Sequence, residues 1–220
     1  MKYLIHTYPK RLWYVEKYLI PSMTKQGIKK NDIYIYNDEN GFGNLFAFLD
    51  SIRFIIDNLK EEKGIWHLQD DVIISRDFKN ITEEIGKNKI INGFVNKWYA
   101  NVEKSGEVRP EEFWYSFPCI YIPNRYLDDF LNWIEKVKYH APYRKRYISG
   151  RYDDYFFYKF IEEEFPLDKM INLKPNLVDH IDYLIGYTSG KRSKKQVRAE
   201  YFNDLDLVKG LERSIKNELS

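Results

Sequence analysis

One stretch constrains this chain more than any other: Gly64-Ile65-Trp66-His67-Leu68-Gln69-Asp70-Asp71-Val72-Ile73-Ile74. A continuous apolar run needs burial on both faces, as an interior strand of a sheet has. Here such a run ends in two adjacent carboxylates, and a second apolar run follows at once. Buried acids are costly unless they meet a cation or water. In open α/β sheets ligands bind outside the carboxyl ends of the strands. Asp70 and Asp71 therefore stand where a divalent metal and a phosphate-bearing ligand would be held. The bland alternative is a strand-end turn with one acid capping and the other solvated.

The residues before this stretch fit the same architecture. Lys2–His6 reads as a first strand, broken by Thr7-Tyr8-Pro9-Lys10-Arg11. Leu12, Val15, Tyr18 and Leu19 recur at helical spacing, with a disturbance expected near Pro21. Asp32–Tyr36 reads as a second strand ending in Asn37-Asp38, and Asn40–Asn44 is rich in turn residues. Leu45, Phe48, Leu49, Ile52, Ile55, Ile56 and Leu59 trace one helical face. This β-α-β-α-β order predicts parallel strands joined by right-handed crossovers.

The second half is less regular. Ile90–Val95, Phe117–Ile122 and Met170–Leu173 read as strands, and Asn101–Pro110 as a polar loop. Leu127–Val137 and Asp153–Phe165 read as helices, and Phe202–Leu219 as an amphipathic one. The expected fold class is α/β, a Rossmann-type mixed sheet flanked by helices. Its domain would span 1–190, with a nucleotide-binding half over 1–95 and an acceptor-binding half over 96–190. Residues 191–220 would form a basic segment and a C-terminal helix.

Several classes are disfavoured. With one cysteine, Cys119 in an apolar run, the chain can build neither a disulfide framework nor a cysteine metal site. No Gly-x-Gly-x-x-Gly or Walker-type loop occurs, which argues against a dinucleotide oxidoreductase or P-loop NTPase. No apolar run reaches the roughly 18 residues of a membrane span. The strand-like start leaves no room for a signal peptide, so the expectation is a cytoplasmic protein without a membrane partner.

The residues suit a nucleotide-sugar transferase. Such an enzyme holds a diphosphate, neutralises the leaving group with Mn2+ or Mg2+, and removes a proton from the acceptor hydroxyl if it inverts. Asp71 is the candidate metal ligand, and Asp70 would reach the ribose or a metal-bound water. His180 would be a third ligand or a phosphate contact. Asp153 or Asp154, opening a helix, would be the catalytic base; their plainer role is to favour a helix N-terminus. His67, within its strand, is expected to pack.

Trp66-His67-Leu68-Gln69-Asp70-Asp71-Val72 resembles the modified Asp-x-Asp motif of GT-A-type glycosyltransferases. The likeness is strongest to small phage-encoded members, which include hydroxymethylpyrimidine DNA glucosyltransferases. It extends through Thr7–Arg11, Tyr36-Asn37-Asp38, Asn44, Asp153-Asp154 and Pro175–His180. The resemblance implies that Asp71 binds the metal, with His180 completing the site. It implies that Thr7, Arg11, Asp38, Asn44 and Asp70 meet the nucleotide sugar, and that the donor is a UDP-sugar, most commonly UDP-glucose. Gln69 departs from the pattern, since an acid is common there.

Charge segregation bears on the acceptor. The net charge is only +2, yet Lys136–Arg151 and Tyr183–Ala199 carry eleven Lys and Arg and no acid. Basic groups neutralise phosphates and aromatics stack on exposed bases. Tyr143, Arg144, Arg146 and Arg151 are therefore candidate acceptor contacts beside Asp153-Asp154. Trp98 and Tyr99 are candidate wall residues. Lys191 and Arg192 would serve the donor pyrophosphate. The best expected acceptor is a hydroxymethylated pyrimidine in phage DNA, a base that has to leave the stack. A saccharide or protein acceptor, a non-catalytic nucleic-acid-binding module and a metal-dependent nuclease are the competing readings. The donor sugar, the anomeric outcome and the oligomeric state stay open.

Overall fold

The structure is a computed structural model. It describes residues 1–41, 43–85, 88–95, 106–108, 117–185, 199 and 201–219. Among these, a seven-stranded sheet runs in the order β2-β1-β3-β7-β5-β8-β6. β1 (Lys2–Thr7), β2 (Ile33–Asn37) and β3 (Gly64–Gln69) are parallel. β7 (Cys119–Pro123) runs antiparallel to β3, and β5 (Ile91–Asn92) antiparallel to β7. β8 (Met170–Asn172) is parallel to β5, and β6 (Gly106–Val108) closes the far edge antiparallel to β8. The expected mixed α/β sheet is thus present. Part of the stretch read as a polar loop over 101–110 is β6, whose pairing to β8 overrides its polar composition.

Helices cover both faces. On one side α3 (Asn44–Leu59), α5 (Leu127–Val137) and α7 (Asp153–Glu164) bury Phe48, Phe130 and Phe157 against β3 and β7. The basic stretch between α5 and α7 is itself a helix, α6 (Ala141–Ser149), stopped by the left-handed Gly150. On the other side Tyr14, Leu19, Phe78 and Val208 form a second cluster with Tyr3 and Trp66. α4 (Phe78–Glu84) and α9 (Leu205–Leu219) pack there. Cys119 is a buried free thiol.

The helical connection after β1 changes pitch. A 3-10 turn at Pro9–Arg11 leads into α1 (Leu12–Tyr14), a π turn at Val15–Leu19 and α2 (Ile20–Lys25). Pro21 lacks the N–H that an α-helix needs at that place, and the wider π turn directly precedes it. No described helix is long and apolar enough to cross a membrane.

Candidate metal and nucleotide site

The parallel register sets three strand ends level. Thr7 is opposite Asn37, and His6 is opposite Gln69. β1 connects outward to β2 on one side, and the chain then crosses to β3 on the other. The crevice between β1 and β3 is therefore the topological switch point, where open α/β sheets bind ligands. Asp38 follows β2 there, 7% exposed, with its N–H on the Thr7 carbonyl at 2.7 Å. Its Oδ1 accepts the Gly41 N–H at 3.0 Å, closing a turn.

Across the crevice, Thr7 Oγ1 donates to Asp70 Oδ2 at 2.9 Å. Arg11 Nη1 donates to Asp70 Oδ1 at 2.9 Å and also to Asp71 Oδ2. All three charged groups are buried, so Arg11 is the counter-ion that lets two acids share a dry strand end. Burial and the neighbouring Asp71 push Asp70 up to about 6, against the pull of Arg11. Burial raises Asp71 too, but His180 and Arg11 outweigh it and hold this carboxyl well below its usual range.

A small two-stranded sheet completes the site. β4 (Val72–Ile74) pairs antiparallel with β9 (Val178–His180), placing His180 opposite Val72. The Ile181 N–H bonds the Asp71 carbonyl at 2.8 Å, and α8 (Asp182–Ile185) starts directly after. His180 ends β9 and Asp182 opens α8, and both stand close to Asp71. Candidate ligand atoms of Asp71, His180 and Asp182 lie within 4.8 Å of one another, all in buried residues.

A divalent ion fits this set. His180 Nε2 and Asp71 Oδ1 lie 2.9 Å apart, an ion pair when the imidazole is protonated, and with a neutral imidazole both buried atoms are left short of a partner. Such atoms carry a desolvation cost that a bound cation removes. Burial works against the imidazolium, yet the Asp71 carboxylate holds His180 above its ordinary value. Two carboxylates and an imidazole are the hard, borderline donors that suit Mn2+ or Mg2+.

The remaining candidates divide. Asp153 opens α7, 4% exposed, and its Oδ2 has no hydrogen-bond partner. Burial first, and Asp154 second, push it up to about 8. Asp154 is half-buried, and its Oδ1 accepts the Tyr155 N–H at 2.7 Å. The turn before α7 meets the rim directly, since the Gly150 carbonyl accepts the Leu45 N–H at 2.9 Å. Asn44 is exposed at that same start of α3.

Arg144, Arg146 and Arg151 are exposed. Tyr143 is 8% exposed, its ring packs on Trp133 and Phe156, and its hydroxyl donates to Glu163. Trp98, Tyr99, Lys191 and Arg192 lie outside the described residues. His67 packs as expected, against Phe48 and His6.

Sequence reasoning missed Asp182. The signal was present, since an acid two residues beyond His180 shares its face if the backbone is extended. It also missed Arg11 as counter-ion of the acid pair, which needs the β1–β3 pairing to be seen.

No protein-family model and no curated protein matches this chain. Solved structures with a similar course include A197 from STIV, at 14% identity and TM-score 0.46, covering 82% of this chain and 86% of that one. A glycosyltransferase involved in glycosylation of the major capsid of PBCV-1 aligns at 12% identity and TM-score 0.47, over 80% and 83% of the two chains. The galactosyltransferase LgtC aligns at 10% identity and TM-score 0.44, over 96% and 95%.

Proposed function

We propose that this protein is a metal-dependent glycosyltransferase that moves a sugar from a nucleotide donor to a hydroxyl group. The observation that carries the reading is the joining of Asp71, His180 and Asp182 at the β1–β3 switch point, beside Thr7, Arg11, Asp38 and Asp70. A strand-end crevice with hard metal ligands on one wall and hydrogen-bonding groups on the other suits a nucleoside diphosphate. A bound Mn2+ or Mg2+ would supply charge neutralisation for the departing diphosphate.

The chain's own groups take the other roles. Asp38 and Thr7 flank the place of the nucleoside, and Asp70 reaches toward its ribose. Arg11 gives a phosphate a cation already desolvated and oriented. Asp153, protonated near neutral pH, donates a hydrogen bond to a sugar hydroxyl. Asp154 is the better candidate for taking the acceptor proton, because it is less buried and lies next in the chain. The donor assigned by resemblance is a UDP-sugar, most commonly UDP-glucose.

For the acceptor we propose 5-hydroxymethylpyrimidine in DNA. Support comes from α6 and the turn after it, where Arg144, Lys145, Arg151 and Tyr152 are all exposed just ahead of Asp153. Cations with an adjacent aromatic suit a phosphate backbone and an unstacked base.

The test is transfer from UDP-glucose with Mn2+ to hydroxymethylated DNA, unmodified DNA and an oligosaccharide, read by mass spectrometry of nucleosides and glycans. Glucosylated hydroxymethylpyrimidine is expected. Transfer to the oligosaccharide alone would remove the DNA acceptor and keep the transferase; no transfer from any nucleotide sugar would remove both.

A further inference from the structure

The C-terminal helix makes contacts that packing alone does not require. Its apolar side is ordinary, with Val208, Leu211 and Ile215 buried in the second core cluster. Its polar contacts are more specific. Tyr183, next to Asp182 on α8, donates to Glu212 Oε1 at 2.8 Å. Tyr18, in the π turn that follows Arg11, donates to Glu218, and Lys17 pairs with Glu218 at 2.7 Å. Arg76, just beyond β4, donates from its backbone N–H to Asp204 Oδ2 at 2.9 Å and from its guanidinium to both Asp204 and Asp206. These three anchors fall on the three segments that bring Asp182, Arg11 and Asp71 to the crevice.

The chain entering this helix is tied to the fourth. Asp179 is fully buried, and its Oδ1 accepts the His180 N–H at 3.0 Å and the Ala199 N–H at 2.7 Å. The Asn176 N–H bonds the Tyr201 carbonyl at 2.9 Å, so Ala199 and Tyr201 both lie beside the segment that forms β9. One carboxylate thus fixes both the backbone of the residue proposed as imidazole ligand and the lead-in to the helix. Charge-assisted bonds to buried backbone N–H groups are strong and directional.

We propose that α9 and Asp179 are positioning elements of the metal centre: together they set the spacing of Asp71, His180 and Asp182, ligands supplied by segments more than 100 residues apart in the chain. This rests on the metal reading above. Outer groups that orient metal ligands are worth about 10- to 100-fold in metal affinity.

The experiment measures Mn2+ affinity by the electron paramagnetic resonance of free Mn2+, with the melting point in EDTA as a record of folding. Wild-type protein, Asp179→Ala, Asp179→Asn and Tyr183→Phe are compared. Asn keeps an acceptor oxygen for the two N–H groups and Ala does not. Expected are wild-type binding, a loss of about tenfold or more in Asp179→Ala, near-native affinity in Asp179→Asn, and a loss of about fivefold in Tyr183→Phe. Folded Asp179→Ala with wild-type affinity overturns the proposal. Should Asp179→Ala not fold, unchanged affinity in Tyr183→Phe overturns it instead. Absence of Mn2+ binding by the wild type overturns the metal reading itself and this inference with it, a result distinct from the other two.

Discussion

Arg11 shows how much one side chain can decide. Its guanidinium neutralises Asp70 and Asp71 at once, in a place that water barely reaches. Removing one partner of a buried ion pair costs about 3–5 kcal/mol, because the other charge stays behind unpaired. Arg11→Ala is therefore expected to lower unfolding free energy by about that amount in EDTA, measured by urea denaturation. Added Mn2+ should narrow the gap, since the ion takes over part of the neutralisation. Equal stability of the two proteins in EDTA would show that Arg11 is not the counter-ion.

Asp153 offers a test by pH. Its folded value is pushed up to about 8 by burial, against an ordinary value of about 4 in the unfolded chain. The folded protein thus holds a proton that the unfolded chain has released. The associated stability is complete below about pH 4 and is lost as pH rises through about 8. Asp153→Asn cannot lose that proton, so its melting point should gain on the wild type between pH 5 and pH 8. Parallel melting curves across that window would contradict the assignment. The sequence made the Asp153-Asp154 pair visible as helix-opening acids. It did not separate them, because burial depends on the packing of α7 against α3.

Among the elements, the start of α3 is a tight joint. Gly43 has φ 95° and ψ 161°, a backbone shape that L side chains rarely adopt. A Cβ there would lie 2.7 Å from the Gly150 carbonyl oxygen. Gly43→Ala is expected to cost about 1–3 kcal/mol and to shift the α6–α7 turn away from the rim. Chemical denaturation reads the first effect. A rise in KM for the acceptor, with that for the donor less affected, reads the second.

The periodic elements were legible in advance. The apolar face of α3 and the strands β1, β2 and β3 appear within a residue or two of their expected bounds. β6 was not, because a short edge strand gains its hydrogen bonds from a partner more than 60 residues away. The pairing of β4 with β9 was also hidden, although it is what brings His180 to Asp71.

At the scale of the molecule, the site is assembled from both ends of the chain. Thr7, Arg11, Asp70 and Asp71 come from the parallel half, whose order the repeated β-α unit dictates. His180 ends β9 and Asp182 opens α8, late segments whose approach to Asp71 no local pattern announces. Asp71 and His180 stand out by residue type and motif; the nearness of Asp182 and the contacts of α9 needed the tertiary structure.

Surface charge gives a prediction at the same scale. Arg144 and Lys145 are exposed on α6, and each contact with a phosphate releases about one counter-ion. If both meet DNA, the double change Arg144→Ala with Lys145→Ala should flatten the plot of log affinity against log salt by about 2. A slope that does not move would place the acceptor elsewhere.

The central claim is that Asp71 and His180 hold a divalent ion at the crevice between β1 and β3. Anomalous diffraction at the manganese edge, from a crystal grown with Mn2+ and UDP, addresses it most directly. One peak bonded to Asp71 and His180 is expected, with Asp182 beside it and the diphosphate on the open side. A crevice holding UDP with no manganese peak, and Asp71 still paired to Arg11 and His180, would contradict it.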